Sequence, residues 1–258
     1  MSDWNPDSYL RFADERTQPS IDLVSRIRLE PPRKIVDIGC GPGNSTQALR
    51  GRWPGSDILG TDSSAAMIAK ARQDYPEQRW AVADAAEFDA REEYDLAFSN
   101  AALQWIPGHE DLVPRLLRGV KKGGALAFQV PMFRTMPINL AIEEVASRAE
   151  WRSLTAGVAD VFTFHDASFY YDALSGAVSK LDIWETAYVH ALESRRALLD
   201  FAGSTALRPY HASLPSDAER SRFDEELLDE LGRRYELRRD GKLLFPFVRL
   251  FVIAYKSA

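Results

Sequence analysis

The sequence feature that most constrains the fold is an apolar segment that runs into an acid and then into three alternating glycines. Residues 34–38 (KIVDI) are followed by Gly39, Gly41 and Gly43, and Asp37 lies two residues before the first glycine. Because glycine has no Cβ atom, the main chain can turn tightly and approach a ligand closely at these positions. The pattern predicts a β-strand, a ligand-binding loop, and a helix that begins near residue 44.

The glycine spacing distinguishes this loop from a dinucleotide-binding loop, in which the third glycine would occupy position 44. Asn44 stands there, and the third glycine is Gly43. A dinucleotide loop binds pyrophosphate at a helix N-terminus, whereas here the carboxylate of Asp37 lies beside the loop. The acid favours a ligand with a cationic end. A loop that serves packing alone is the alternative interpretation.

Composition limits the class of protein. Of the 258 residues, 45% are hydrophobic and 27% are charged, as in a globular protein with one large domain or a core with an insertion. The net charge of −6 disfavours a general nucleic-acid surface. The sequence shows neither a signal-peptide pattern nor a run of about 18 apolar residues, so we expect a cytoplasmic protein without a membrane span.

The single cysteine, Cys40, lies inside the glycine loop. It cannot form an internal disulfide, and a small side chain in a tight turn explains it better than a nucleophile does. The four histidines, at positions 109, 165, 190 and 211, do not show metal-ligand spacing. We therefore predict no metal site.

Strand-like and helix-like segments alternate five times in the first half of the chain. The predicted strands are residues 34–38, 57–62, 79–82, 94–98 and 125–130, with a turn at 122–124 before the last one. Helical patterns separate them, and Ser63 or Ser64 is positioned to cap one of these helices. Such alternation predicts a parallel sheet with helices on both faces.

Polar residues follow the ends of four of these strands. Asp37, Asp62, Asp84 and Asn100 all lie at or beside a carboxyl end, which is the edge where open α/β sheets bind ligands. Asp62 comes 19 residues after Gly43, the spacing at which such folds place an acid that accepts ribose hydroxyls. It suits the adenosine of a methyl donor or of NAD. For each acid, a helix cap or a surface charge is the alternative.

The pattern changes beyond residue 130. Helices are predicted over 137–153 and 165–176, a strand over 183–192, a polar helical passage over 194–235, and a last strand over 247–255. About fifty residues between the last two strands far exceed the usual loop length, so we interpret them as a helical lid. At the other end, a helix is predicted over 19–28, and Trp4, Tyr9 and Phe12 belong either to a flap or to the core.

Several segments together resemble the class I S-adenosylmethionine-dependent methyltransferases. Within that class, the likeness extends over nearly the whole chain to the enzymes that methylate a carboxylate of trans-aconitate, a small tricarboxylic acid. The segments are residues 4–6 (WNP), 37–46 (DIGCGPGNST), 62–64 (DSS), 66–69 (AMIA), 100–105 (NAALQW), 170–172 (YYD), 182–184 (DIW), 207–209 (LRP) and 249–251 (RLF).

The resemblance implies an α/β fold with a doubly wound, Rossmann-like sheet of seven mostly parallel strands. The last strand would be antiparallel, with a helical lid inserted before it. We expect a single methyltransferase domain. Its parts would be an N-terminal helical flap (1–30), a cofactor-binding core (33–131), helical acceptor-pocket insertions (132–180 and 194–240) and the final strand (247–255).

The resemblance also implies S-adenosylmethionine as cofactor and S-adenosylhomocysteine as product. Asp37 and the glycine loop would contact the methionine part, Asp62 the ribose, and Met67 or its neighbour the purine. Asp84 with Ala85 would contact the adenine edge, and Asn100 with Ala101 would lie between the methionine part and the acceptor. The predicted cofactor-binding residues are Asp37, Gly39, Cys40, Gly41, Asn44, Asp62, Ser63, Met67, Asp84, Ala85, Asn100 and Ala101.

The implied reaction is an in-line methyl transfer that converts one carboxylate to a monomethyl ester. A carboxylate with a pKa of about 4 is ionised at pH 7, so no general base is needed and we predict no catalytic residue. An arginine on the attacking carboxylate would favour the ground state; arginines should therefore bind the non-reacting carboxylates. The predicted acceptor-binding residues are Tyr171, Arg208, Arg249 and Arg134. A solvated charge for Arg208 and a buried ion pair for Arg249 are the alternatives.

Three other functions stay open at this point. The acceptor could be another carboxylic acid, such as a malonyl group on a carrier protein, although acids are interspersed among the arginines of the predicted lid. An NAD-linked dehydrogenase is disfavoured by Asn44, and a non-catalytic adenosine-binding protein would need no acceptor pocket. We expect a small-molecule substrate, with no nucleic acid, membrane or obligate protein partner.

Overall fold

The computed structural model describes residues 13–203 and 205–258. Trp4, Tyr9 and Phe12, on which the predicted flap depends, lie outside the described residues. Contacts divide the described chain into two compact units. The first, which we name the core unit, comprises residues 13–131, 165–186 and 249–258. The second, the helical unit, comprises residues 132–164 and 187–248 apart from residue 204.

Seven strands form one sheet. They are β1 (Lys34–Ile38), β2 (Asp57–Asp62), β3 (Arg79–Val82), β4 (Tyr94–Asn100), β5 (Val120–Pro131), β6 (Val178–Leu192) and β7 (Leu243–Lys256). Their order is β3-β2-β1-β4-β5-β7-β6. The first five strands pair in parallel, and β7 runs antiparallel to β5. The predicted doubly wound, mostly parallel sheet of seven strands with an antiparallel last strand is confirmed.

The helices connect these strands in the order that the sequence predicts. The core unit contains α1 (Ala13–Arg26), α2 (Asn44–Arg52), α3 (Ala65–Asp74), α4 (His109–Arg118) and α6 (Ala167–Leu174). The helical unit contains α5 (Pro137–Ala146), α7 (Arg195–Gly203), α8 (Arg208–Ser213) and α9 (Asp217–Arg234). In the described part of the chain, no helix combines the length and the apolar character needed to cross a membrane.

The central strands are buried because helices cover both faces of a parallel sheet. Ile35 and Val36 of β1 are at most 1% exposed, and Leu96 and Phe98 of β4 are fully buried. Such continuous apolar runs, rather than alternating ones, are the pattern of interior parallel strands. The sheet therefore holds its carboxyl edge rigidly, and the loops at that edge start from fixed positions.

The predicted turn at residues 122–124 is wrong, because these residues lie within β5. Tyr94 pairs with Val120 and Leu96 pairs with Ala125, so the register between β4 and β5 shifts there. Gly123 absorbs the irregularity with a φ of 75°. A bulge in one strand looks like a turn in the sequence because both use glycine.

The elements beyond residue 131 differ from prediction mainly in their bounds. The predicted helix over 137–153 ends at Ala146, where consecutive turns begin. The helix predicted over 165–176 is α6, capped by Asp166, whose carboxylate accepts a hydrogen bond from the Phe169 N–H. Strands β6 and β7 are both longer than predicted, and three separate helices occupy the passage over 194–235.

The helical unit has an aromatic core of its own. Trp151 lies edge-on to Phe223 with ring centroids 5.5 Å apart, and Tyr210 stacks on Phe223 at 6.2 Å. The carboxylate of Glu230, 3% exposed, accepts from Arg233 at 2.8 Å. Aromatic pairs of this kind add to the energy of apolar burial, which gives this unit a compact interior.

We predict that Gly60→Ala destabilises the fold by about 1 to 3 kcal/mol, as overpacked cores do. A Cβ atom at Gly60 would lie 2.3 Å from the ring of Trp80 and 3.1 Å from the sulfur of Cys40. Gly51→Ala is the matched control, because a Cβ there, in α2, meets no atom within 4 Å. Urea unfolding measures both; equal stability of the two variants would contradict the contact with Trp80.

Candidate active site

The sheet order reverses between β1 and β4, which identifies the edge where a ligand binds. Strands β2 and β3 continue on one side of β1, and β5 lies beyond β4 on the other. In open α/β sheets the crevice at such a reversal, outside the carboxyl ends of the strands, is the ligand site. The glycine loop begins here, directly after β1.

The glycine loop adopts backbone angles that favour glycine. Gly39, Gly41 and Gly43 have φ values of 71°, 56° and 105°. A Cβ at Gly39 would lie 2.2 Å from that of Ala102, whereas a Cβ at Gly41 would meet no protein atom within 4 Å. Gly39 therefore permits a close approach of two chain segments, and Gly41 leaves main chain exposed on an open side where a ligand can lie.

Asp37 is completely buried at the end of β1. Its Oδ2 atom accepts hydrogen bonds from Ser45 Oγ at 2.7 Å and Thr46 Oγ1 at 2.6 Å. Its Oδ1 atom has no hydrogen-bond partner in the described part of the chain. Burial raises the pKa of Asp37 from 3.8 to about 6, against the two hydroxyl donors, and the charge of Asp62 adds to the rise. A ligand cation would offset this burial of negative charge.

Asp62 holds its carboxylate in one orientation by two main-chain contacts. Oδ2 accepts from the Gly41 N–H at 2.9 Å, and Oδ1 accepts from the Ser64 N–H at 2.8 Å. Asp62 is therefore oriented by the glycine loop and by the main chain at Ser64. A carboxylate is an acceptor that suits hydroxyl donors.

Four other predicted cofactor residues, Cys40, Asn44, Ser63 and Met67, lie in or near this loop and α3. Cys40 is 4% exposed and lies in a cluster with Ile68, Ala71 and Trp80; burial raises the pKa of its thiol. Ser63 is exposed, and its neighbour Ser64 is the residue that caps α3. Met67 is 3% exposed, and Asn44 Nδ2 donates to Thr17 Oγ1 at 3.4 Å. Cys40 and Met67 thus offer a ligand little side-chain surface.

Asp84 and Ala85 lie where β3 ends. Asp84 is exposed, and its Oδ1 accepts from the Ala86 N–H at 2.8 Å. It caps the short helix Ala85–Glu87, so the helix-cap alternative accounts for this acid in the structure. A ligand role for Asp84 stays a prediction.

Asn100 is the last residue of β4, and Ala101 follows it. Asn100 Oδ1 accepts from Gln129 Nε2 at 2.8 Å, and the Ala101 N–H donates to the main-chain carbonyl of Gln129 at 3.0 Å. Ala101 has a φ of 54°, which costs an alanine about 1 kcal/mol or more. Strained residues of this kind cluster at ligand sites.

Two glutamines that sequence reasoning missed support this segment. Gln104 Nε2 donates to the Ala101 carbonyl at 2.7 Å, while its buried Oε1 has no partner in the described part of the chain. Gln129 is fully buried in β5. The available signals were a polar residue within the apolar run 125–130 and the glutamine of the NAALQW segment.

His109 was also missed, and it connects the segment after β4 to α6. It is fully buried, and its Nε2 lies 2.9 Å from the Leu103 carbonyl. This carbonyl requires a donor, so Nε2 carries the proton and Nδ1 accepts from the Tyr170 hydroxyl at 2.8 Å. Burial lowers the pKa of His109, which keeps the ring neutral at pH 7.

The predicted acceptor-binding residues are divided between the two units. Tyr171 on α6 is 56% exposed, and Arg249 on β7 is 3% exposed with Nη1 donating to Gln129 Oε1 at 3.3 Å; both belong to the core unit. Arg134 is exposed and Arg208, at the start of α8, is partly buried; both belong to the helical unit. Among the described residues, no cluster of histidine, cysteine and acids could hold a metal ion.

Comparison with known proteins agrees with this geometry. The family described as a methyltransferase domain matches residues 35–124, the segment that carries the glycine loop and the four strand ends. A trans-aconitate 2-methyltransferase of Variovorax paradoxus is 38% identical over 260 residues, covering all of both chains. One from Escherichia coli is 40% identical over 258 residues, covering 98% of each chain.

The chain belongs to the trans-aconitate 2-methyltransferase family.

As a member of this family, the protein is an S-adenosylmethionine-dependent methyltransferase. Solved structures support the fold at low sequence identity. The YcgJ protein of Bacillus subtilis has a TM-score of 0.59 at 15% identity, covering 93% of this chain and 99% of its own. A phosphoethanolamine N-methyltransferase of Haemonchus contortus, solved with S-adenosyl-L-methionine, has a TM-score of 0.60 at 15% identity, covering 98% of this chain and 57% of its own.

The residues at the sheet edge fit the cofactor of the trans-aconitate 2-methyltransferase family. The unpartnered Oδ1 of Asp37 is an acceptor that a cationic group can satisfy. The open side of Gly41 leaves space for a ligand beside the main chain. The loop carries no basic residue between positions 38 and 49, as suits a ligand that has a sulfonium and an ammonium group and no phosphate.

We predict that the affinity for S-adenosylhomocysteine rises about tenfold between pH 5 and pH 7. We expect the ligand ammonium to bind Asp37 in its ionised form. Because the pKa of Asp37 is about 6 in the ligand-free protein, protonation then competes with binding below that pH. Asp37→Asn should weaken binding and remove the pH dependence. Asp89→Asn, a change at an exposed acid, is the control. Calorimetry that finds a flat pH profile for the wild type would contradict this role.

The same pKa predicts that the stability of the ligand-free protein falls as the pH rises, whereas the affinity for the ligand rises. Because burial raises the pKa of Asp37, its contribution to stability is present below pH 4 and is lost as the pH rises through 6. The loss is roughly 3 kcal/mol for a pKa that rises from 3.8 to about 6. Asp37→Asn should therefore reduce the difference in urea-unfolding free energy between pH 5 and pH 8.

Neighbouring tyrosines on α6 provide a matched pair. Tyr170→Phe removes the hydroxyl that bonds to buried His109 Nδ1 and should cost about 1 to 3 kcal/mol, since it leaves a buried acceptor unpaired. Tyr171→Phe, at a side chain that is 56% exposed, should leave the unfolding free energy unchanged. If the two variants unfold alike, the bond between His109 and Tyr170 does not support the fold.

Proposed function

We propose that the protein transfers the methyl group of S-adenosylmethionine to one carboxylate of trans-aconitate, giving a monomethyl ester and S-adenosylhomocysteine. The chain is 40% identical, over nearly its full length, to proteins named trans-aconitate 2-methyltransferase, and this identity supports trans-aconitate as the acceptor. The single structural observation that carries the proposal is the buried Asp37 carboxylate with its unpartnered Oδ1 beside an open glycine loop.

The residues of the chain would hold the cofactor by complementary charge and hydrogen bonds. Asp37 would accept from the ammonium group, the main chain at Gly41 would lie against the ligand, and Asp62 would accept from the ribose hydroxyls. When bound, the cofactor supplies a methyl group made electrophilic by the sulfonium. The other cofactor-binding residues predicted from the sequence belong to the same proposal.

The proposed chemistry places no demand on a general base. An acceptor carboxylate is already ionised at pH 7, and the most deeply buried histidine of the core unit is unsuited to that role. Both ring nitrogens of His109 are engaged, one with Leu103 and one with Tyr170. Catalysis therefore depends on alignment of the reactants and exclusion of water, a contribution of roughly 7 to 11 kcal/mol for well-oriented partners.

Arginines would bind the carboxylates that do not react. Arg249 supports this role because its guanidinium is buried in the core unit, where Nη1 donates to Gln129 Oε1, and because a guanidinium suits carboxylate oxygens. Arg208, Arg134 and Tyr171 remain predictions from the sequence. The expectation of a cytoplasmic enzyme without nucleic acid, membrane or obligate protein partner also belongs to the proposal, and the net charge of −6 supports its nucleic-acid part.

We predict that mass spectrometry of trans-aconitate, incubated with protein and methyl donor, detects the addition of one methyl group. Arg249→Ala and Arg208→Ala should each lower kcat/KM for trans-aconitate about tenfold or more, since a charge-assisted hydrogen bond to substrate is lost. Arg239→Ala, at an exposed arginine, is the control.

The outcomes separate the acceptors. A wild-type protein that methylates a malonyl carrier protein and leaves trans-aconitate unchanged would overturn the proposed substrate while preserving the reaction class. Arginine variants with the kinetics of the control would remove those arginines from the acceptor site.

A further inference from the structure

Gln129 is a buried amide in a strand whose neighbouring residues are apolar. It is fully buried between Phe128 and Val130 in β5. Its Oε1 accepts from Arg249 Nη1 at 3.3 Å, and its Nε2 donates to Asn100 Oδ1 at 2.8 Å. A buried amide is costly unless its groups are hydrogen-bonded, and both ends of this one are.

The chemistry of Arg249 fixes the direction of this chain of hydrogen bonds. A guanidinium can only donate, so the atom of Gln129 that faces it must be the oxygen. The other end of the amide is then Nε2, which also can only donate. The atom of Asn100 that faces Nε2 must therefore be Oδ1, and Nδ2 is directed away from Gln129.

The main chain of Gln129 also binds Ala101, the residue that follows Asn100. Its carbonyl accepts from the N–H of Ala101, the residue with a φ of 54°. Asn100 is partly exposed at the end of β4, and in the described part of the chain its Nδ2 makes no hydrogen bond. The segment thus presents an amide with two N–H donors at the ligand edge of the sheet.

We propose that Gln129 is a positioning residue: in a direction imposed by Arg249, it makes Asn100 a hydrogen-bond donor for a ligand carboxylate. Two N–H donors without an acceptor are complementary to anionic oxygen, the strongest acceptor available. The inference rests on the proposed function in one respect, since both the amino-acid part of the cofactor and the acceptor carry carboxylates. Gln129 acts through Asn100 and touches neither ligand.

Gln129→Glu tests the donor-to-acceptor direction of the hydrogen bonds from Arg249 through Gln129 to Asn100, and it changes the shape of the side chain little. The new carboxylate accepts from Arg249 and can only accept from Asn100, so the Asn100 amide turns round and presents Oδ1 to the ligand. We expect the fold and its Tm to be retained, with binding of the carboxylate ligand weakened about tenfold or more. Gln73→Glu makes the same chemical change at an exposed position of α3 and should have no effect.

Two calorimetric titrations identify the ligand. Reduced affinity for S-adenosylhomocysteine would place the cofactor carboxylate at Asn100. Unchanged affinity for S-adenosylhomocysteine with reduced affinity for trans-aconitate, added to the S-adenosylhomocysteine complex, would place the acceptor there. If the wild-type protein binds S-adenosylhomocysteine and does not bind trans-aconitate, the proposed acceptor is overturned. The titration of Gln129→Glu with S-adenosylhomocysteine then tests the role of Gln129 independently of the acceptor.

Two further variants keep the proposal falsifiable. Asn100→Asp presents an oxygen without a change at Gln129, so it should reproduce the loss of binding even if Gln129→Glu fails to fold. In an Asn100→Ala background, Gln129→Glu should cause no further loss, because the group through which it acts is absent. The proposal would be overturned if Gln129→Glu and Asn100→Asp both bound the ligands with affinities within twofold of that of Gln73→Glu. It would also be overturned if Gln129→Glu lowered ligand affinity in the Asn100→Ala background as much as it does in the wild type.

Discussion

The site depends on main-chain hydrogen bonds that fasten the glycine loop to the neighbouring strand. The N–H groups of Gly39 and Cys40 both donate to the Thr61 carbonyl, at 2.8 and 2.9 Å. One residue further on, the Gly41 N–H donates to the Asp62 carboxylate. Because β1 and β2 are joined in this way beyond their ladder, the positions of Asp37 and Asp62 are set together, and the loop that would enclose the cofactor is also the group that orients the ribose-binding acid.

Two kinds of buried polar side chain lie at the carboxyl edge of the sheet. Asp37 is desolvated, its pKa is raised to about 6 by burial, and its Oδ1 has no partner among the described residues, whereas both ends of the buried Gln129 amide are hydrogen-bonded. A fully satisfied buried network gives rigidity, and a partly satisfied one stores free energy that a complementary ligand can release. We propose that Gln129 shapes the wall of the site and that Asp37 binds the ligand.

The sequence was most informative where one short segment determines its own structure. Residues 34–38 and 79–82 were predicted as strands with their observed bounds, because apolar runs between glycine or proline signals have few alternatives. The start of β5 was not predictable in the same way, since the bulge at Gly123 depends on pairing with β4. Likewise Gln129 gains its partners across two strand neighbours, and His109 meets Tyr170 only through the tertiary fold. Ligand roles remain predictions where the side chain, as at Asp84, also has a local structural task.

The burial of Cys40 has a practical consequence. Its thiol lies behind Trp80 and Ile68, and burial raises its pKa, so it is protonated and shielded while the loop is closed. Thiol reagents react with the exposed thiolate. The rate at which such a reagent labels the native enzyme would therefore report how often this part of the loop becomes exposed, so the lone thiol of the chain can serve as a probe of motion in the glycine loop.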